Sequence, residues 1–243
     1  MARRKRKSTK RKAGIADRLR AWRRRVLRNL LRAVVVAASV LVLWVLSYSV
    51  INPPTTPYML REKARVDTLR HDWAAWEDIA PQMPRAAVAA EDANFCLHWG
   101  FDMGAIRAAL ADGRRRGAST ITQQVVKNAF LWHGRSWPRK ALEALITPLV
   151  ELTWSKRRIL EVYLNIAEFD EGVFGVEAAA QHYFGVSADK LSATQAARLA
   201  AILPAPQARS AAQPSGGVRK RAAAILDGAA TIRRDGRSGC FED

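Results

Sequence analysis

From Ala33 to Leu60 the chain carries no charged side chain, and Ala33 to Val50 is almost continuously apolar, with Val34-Val35-Val36 and an unbroken run from Val40 to Leu46. That length approaches the ~20 residues a helix needs to cross the hydrocarbon core of a bilayer. Trp44 and Tyr48 stand toward one end, where interfacial aromatics belong, and Asn52-Pro53-Pro54 is a helix stop. The expected membrane anchor is therefore 33–51. Residues 1–32 hold 15 Lys/Arg against the single acid Asp17, so +14 of the formal net charge of +18 lies there and the rest of the chain carries only +4. A basic tail alone would suit nucleic acid. Beside an apolar span it marks the cytoplasmic flank instead, with everything after the span exported. A cleavable signal peptide fits less well, because the basic region is very long and an Ala-x-Ala-like cleavage site is poor.

About 180 residues follow, enough for one domain with a real core. Asn52 to Pro84 is punctuated by proline and reads as a stalk with one short helix around His71–Ile79. From Arg85 onward, apolar residues recur at helical spacing over 86–98, 104–110, 120–131, 138–153, 156–165, 176–183 and 193–203, with a final helix over 218–232. Pro148 falls inside one of these and predicts a kink. Few runs alternate as strands do, so the class is all-α, a small β element remaining open. The two cysteines are too few for a disulfide framework; they could pair in an oxidising compartment, but the favoured reading leaves them unpaired, Cys96 packed in a helix and Cys240 in a frayed polar tail, 233–243. The four histidines are scattered, and no metal-ligand spacing appears.

Three constellations carry chemistry. Glu91, Phe95 and His98 fall at i, i+4 and i+7, sharing one helix face if the helix is continuous. A carboxylate there suits general-base work in a cleft; a solvated helix turn with Phe95 buried is the plain alternative. Gly117-Ala118-Ser119-Thr120 opens the next helix, and Thr120 with Gln123 matches a capping box. Ser119, Gln123 and Lys127 also line up at i, i+4 and i+8, and Gln124 with Asn128 adds a second polar row. Finally, Arg135, Arg139 and Lys140 precede Glu143. The Arg139–Glu143 spacing fits a surface ion pair, yet with Lys127 these cations suit a diphosphate, guanidinium binding phosphate in a fork and ammonium as a point charge. Two carboxylates, a cationic cluster and neutral hydrogen-bonding groups together suggest glycosyl transfer from a phosphate leaving group.

These residues, in this order, resemble the peptidoglycan glycosyltransferase family. The matching motifs are Glu91-Asp92 with Phe95, His98 and Gly100-Phe101-Asp102; Gly117 to Gln124; Arg139-Lys140 with Glu143; Ser155-Lys156 through Tyr163-Leu164-Asn165; and Gly172 with Phe174-Gly175 through Tyr183-Phe184-Gly185. The resemblance spans 86–206 and implies a mainly helical, lysozyme-like domain over 85–243, on the periplasmic side of the inner membrane. It implies polymerisation of lipid II, with the growing glycan chain on undecaprenyl diphosphate as donor and an inverting displacement giving a β-1,4 bond. Glu91 matches the family's general base and Glu143 its second carboxylate. Lys127, Arg135, Arg139 and Lys140 match diphosphate ligands. Ser119, Thr120, Gln123 and Gln124 match residues that shape the cleft and contact sugars, with Phe95 and His98 beside them. Family members often use Mg²⁺ or Mn²⁺ carried with the substrate, with no protein-built metal cage and no organic cofactor. Partners implied are lipid II, the glycan and the membrane; other cell-wall synthesis proteins stay open, and nucleic acid is not expected.

The segment between Asp102 and Gly117 is shorter than the family's cleft loop, which bears on donor binding and processivity. Ser187-Ala188-Asp189-Lys190 matches S-x-x-K, but no S-x-N or K-T-G partner accompanies it, so a transpeptidase site is not expected. A glycan-cleaving lysozyme-like enzyme needs a protonated acid at the scissile oxygen but no cation cluster. An inactive membrane-anchored scaffold would need neither Glu91 nor Glu143.

Overall fold

The computed structural model describes residues 2–111, 119–134 and 136–242. The chain divides into two compact units, residues 1–48 and 49–243. The first is one helix, α1 (Ala2–Tyr48). Its portion Asp17–Tyr48 contains an 18-residue window of mean hydropathy 2.4, long and apolar enough to cross a membrane. The helix stops at Tyr48, three residues before the expected end of the anchor.

The second unit is mainly helical, as expected: α2 (Pro57–Lys63), α3 (Gln82–Glu91), α4 (Met103–Ala111), α5 (Ile121–Phe130), α6 (Trp137–Thr153), α7 (Lys156–Ile166), α8 (Val176–Phe184), α9 (Ala193–Ile202), α10 (Gly216–Arg234) and α11 (Gly239–Glu242). Three short strands, β1 (Arg70–His71), β2 (Glu168–Asp170) and β3 (Val173–Phe174), form a small sheet in the order β1-β3-β2, with β3 parallel to β1 and antiparallel to β2. Helix starts follow local chemistry. Thr56, Thr120, Ser136, Ser155, Ser192 and Ser215 each accept a backbone N–H in the first turn, a cap typically worth ~1 kcal/mol. Pro148 lies inside α6, which continues through it to Thr153.

Packing gathers these helices into two groups. α10 lies on α9 and α3, and α5 lies on α6 and α7. Alanines on α3 permit the first contact: Ala86, Ala87 and Val88 are buried, and a Cβ added at Gly228 of α10 would sit 3.3 Å from that of Ala89. Apolar residues at helical spacing on α5 and α7 (Ile121, Val125 and Val126; Ile159, Leu160 and Leu164) fill the second group and are fully buried.

Two expectations are corrected here. Residues 52–84 are not a stalk. Met59 is buried, β1 enters the sheet, and the Asn165 side chain bonds both the N–H and the C=O of Ala74 at 2.8 and 2.9 Å, pinning the segment to α7. The helix of this segment is at 57–63, where Thr56 and Pro57 form an N-cap and first turn; near 71–79 there is only β1 and a 3₁₀ turn, Trp76–Asp78. The cysteines are not free: Cys96 and Cys240 form a disulfide across 144 residues. The C-terminus is correspondingly ordered, with Phe241 buried against Phe95 and Trp76 and Glu242 paired with Arg85. A polar composition concealed one well-packed aromatic and a covalent tie.

Candidate active site

α3 ends at Glu91, so Glu91, Phe95 and His98 do not share a helix face. The cause is Asp92, whose backbone leaves helical space at φ −160°. Its buried carboxylate accepts the Ile121 N–H at 3.0 Å through Oδ2 and contacts His98 Nε2 at 2.8 Å through Oδ1. Asp92 thus supplies an acceptor to the first turn of α5, where unpaired N–H groups and the helix dipole favour a negative charge. Phe95 is fully buried in a 3₁₀ turn, with Lys156 Nζ 4.4 Å from its ring centroid. Burial of such a ring contributes roughly 1.5–3 kcal/mol. Phe95 and His98, expected at the substrate, are instead placed inside, where they hold the loop after Glu91. Lys156 completes that support, donating to His98 O and to buried Glu151, which also accepts from Thr122.

Thr120 and Gln123 form the reciprocal capping box, each side chain bonding the other's backbone. The Thr120 hydroxyl also donates to Gly100 O at 2.7 Å. Gly100 itself has φ +75°, and a Cβ there would stand 2.4 Å from Thr147 Cγ2. The row Ser119, Gln123, Lys127 is not realised, because the helix starts after Ser119 and Gln123 turns back into its cap. The groups that reach Glu91 come from the next positions. Gln124 Nε2 donates to Glu91 Oε2 at 3.1 Å, and Gln124 Oε1 accepts from Tyr163 of α7 at 3.4 Å.

Glu91 is only 14% exposed at its side chain, and burial raises its pKa above the ordinary glutamate value, against the pull of the Gln124 bond, Arg221 and Lys127. Lys127 shows the converse. Burial lowers its pKa, opposed chiefly by the field of Glu143 and then by that of Glu91, so its ammonium lies within reach of both carboxylates' fields. On α6, Glu143 is buried (3% exposed) between Arg139 Nη1 at 2.7 Å and Lys140 Nζ; Lys140 also donates to Ser119 Oγ at 3.3 Å. With one carboxylate among Lys127, Arg139 and Lys140, this cluster carries a local excess of positive charge. Arg135 and the Gly117-Ala118 start of the second motif lie outside the described residues, as do residues 112–116 of the short segment before them.

Concave surface surrounds these groups. A cleft of about 310 Å³ is lined by Glu91, Asp92, Asn94, Asp102, Ser119 and Thr120. A second of about 290 Å³ opens beside Ser136, Trp137, Arg139 and Lys140. A third, about 190 Å³, is bounded by Gln124, Lys127, Asn128, Tyr58, His133 and Glu168. There Tyr58 stacks on His133 with ring centroids 3.6 Å apart and donates to Glu168.

Divalent ions such as Mg²⁺ need several oxygen ligands. Both oxygens of Glu143 are bound to cations. Asp92, His98 and Asp102 lie close enough to share an ion, but the carboxylate oxygens are already engaged, those of Asp102 by the Ala105 N–H and Asn94. With one imidazole and two carboxylates committed to hydrogen bonds within the chain, this group is a poor match for the oxygen-rich shell of Mg²⁺.

Sequence reasoning missed three contributors. Asp92 was in the motif, but its role as a bolt between two helices depends on a contact 29 residues away. Tyr163 stood in a motif as well, but its hydroxyl contact with Gln124 joins two helices 39 residues apart. Arg221 donates to Glu91 from 130 residues away, and nothing local signals it.

A transglycosylase family profile matches residues 59–230. A biosynthetic peptidoglycan transglycosylase of Jannaschia sp. (strain CCS1) is 58% identical over 244 residues, covering 99% of each chain. Proteins of the same name from Pseudomonas entomophila (strain L48) and Caulobacter vibrioides are 52% and 49% identical, covering 81% and 89% of this chain and 88% and 97% of their own. The chain therefore belongs to the transglycosylase family, as a glycosyltransferase of peptidoglycan synthesis.

Proposed function

We propose that the enzyme polymerises lipid II, with Glu91 as general base and the Lys127–Arg139–Lys140 cluster around Glu143 as the seat of the departing diphosphate. The supporting observation is the pairing of one poorly solvated carboxylate with a separate cation-rich cluster, both coupled to Lys127. Glu91 takes the proton from the acceptor sugar's 4-hydroxyl as that oxygen attacks the donor's anomeric carbon. The bond from that carbon to the phosphate oxygen breaks, its electron pair leaving with the diphosphate, and configuration inverts. A raised pKa makes Glu91 a better base than an exposed glutamate, provided the pH keeps it ionised. The diphosphate is already a good leaving group, so the cations bind it and stabilise its growing charge. An arriving diphosphate also favours the charged form of Lys127, offsetting its burial. Glu143 fixes Arg139 and Lys140 in place. Ser119 and Gln124 are proposed to meet sugar hydroxyls or amides; Thr120 and Gln123 act by building the helix start. Arg135 is proposed as a further phosphate ligand on the resemblance alone. Mg²⁺ or Mn²⁺, where used, would arrive on the diphosphate.

α1 is proposed as a single-pass anchor in the inner membrane, its basic N-terminus cytoplasmic and the catalytic unit periplasmic. The activity is tested by incubating the full chain in detergent with labelled lipid II, and separately with preformed glycan. Polymer from lipid II is expected. Cleavage of glycan without polymer would replace this reading with a hydrolytic one.

A further inference from the structure

The C-terminal helices close over the segment that carries Glu91. Arg221 of α10 donates through Nη2 to Ala90 O at 3.2 Å and to Glu91 Oε1 at 3.3 Å. Arg237, between α10 and α11, donates to Ala93 O at 3.1 Å, and the disulfide follows at Cys96. Three successive ties thus run from the C-terminal region to residues 90–96. Only one of them reaches a carboxylate proposed to react.

We propose that Arg221 is a positioning residue for the reaction, its guanidinium holding Oε1 of Glu91 while Gln124 holds Oε2. The inference rests on the reading of Glu91 as the base. Each carboxylate oxygen accepts more than one hydrogen bond, so both remain able to receive the acceptor's proton. The two donors fix the plane of the carboxylate, and orientation of this kind is what brings a reacting pair into line. Anchoring to Ala90 O ties the guanidinium to the backbone of α3, so carboxylate and clamp move together. Among the described residues the one ion pair made by Arg221 is with Glu91.

Its charge matters as well. The groups facing Glu91 are Gln124 and Lys127 from α5, Arg221 from α10, Tyr163 from α7 and its own neighbour Asp92. Tyr163, buried, holds its proton far above neutrality and contributes no positive charge. The cationic groups are therefore Arg221 and Lys127, and burial lowers the pKa of Lys127. Arg221, permanently charged, is the steadier counter-ion and keeps Glu91 ionised at lower pH than burial alone would allow.

The test is a pH profile of kcat/KM for lipid II with the full chain in detergent, comparing wild type, Arg221→Gln, Arg221→Lys and Glu91→Gln. Arg221→Gln keeps a donor but loses the charge. Its acidic limb is expected at higher pH, so its deficit against wild type grows roughly severalfold between pH 8 and pH 6; Arg221→Lys should return the limb toward wild type. An equal loss at every pH, or a raised KM with an unmoved limb, would overturn the proposal in favour of a scaffold or a substrate contact. In parallel, Glu91 is titrated by ¹³C NMR in substrate-free wild type and Arg221→Gln. If Glu91→Gln keeps its activity, the base reading has failed, and the titration still judges the clamp: a Glu91 midpoint raised in Arg221→Gln supports it, and an unchanged midpoint overturns it.

Discussion

Glu91 and Gly100 show how single residues are constrained by what surrounds them. Folded Glu91 holds its proton more tightly than the same residue in the unfolded chain, because burial disfavours the carboxylate. The sign follows: below the unfolded value both states are protonated and no cost arises, whereas the cost appears as pH rises through the raised folded value and persists above it. Glu91→Gln removes that cost while preserving shape, so the variant should melt at the same temperature or higher at neutral pH, read by circular dichroism. A lower Tm would mean that the Arg221 and Gln124 contacts outweigh desolvation. Gly100 presents the opposite case. An added Cβ meets both a left-handed backbone and Thr147 Cγ2, and Gly100→Ala should destabilise by about 2–4 kcal/mol in denaturant melts.

At the scale of elements, the first turn of α6 separates support from binding. Arg139 and Glu143 are both buried, 10% and 3% exposed, so Arg139→Met leaves a buried carboxylate with Lys140 as its one directly bonded cation among the described residues. Loss of about 3 kcal/mol of stability is expected, along with loss of activity. Lys140 is 42% exposed and its partner keeps Arg139, so Lys140→Met should leave Tm nearly unchanged while raising KM for lipid II about tenfold. Melting curves and steady-state kinetics on the two variants check the division. Most helices were legible in the sequence to within two residues, because caps and apolar spacing lie in the same few residues. The failure came where a boundary is set from afar. α3 stops at Glu91 because Asp92 turns to the start of α5, and no pattern within 86–98 reports that bond. Thr56-Pro57, by contrast, was a local signal for α2, hidden by its place just after an apolar span.

For the whole molecule, the C-terminal region proves structural. The Cys96–Cys240 bond closes 144 residues of chain, and such ties typically contribute about 2–4 kcal/mol by restricting the unfolded state. Cys96→Ser with Cys240→Ser in non-reducing melts, or added thiol reductant with the wild type, should lower Tm and slow polymerisation by loosening the loop after Glu91. Full activity with an unchanged Tm would show the tie to be dispensable. The candidate site was legible in part for the same reason as the helices. Glu91, Gln124, Lys127, Arg139, Lys140 and Glu143 lie in short motifs that also define their helices. Arg221 and the disulfide join segments 130 and 144 residues apart, which spacing cannot reveal.

The most direct measurement is the rate of polymer formation from labelled lipid II by the full-length wild-type enzyme and by Glu91→Gln, with the fold of both verified by melting. A general base contributes roughly 10²–10⁴-fold. Polymer from wild type and a loss in that range in the folded variant is the predicted result; a folded Glu91→Gln enzyme that polymerises at nearly the wild-type rate would contradict the account.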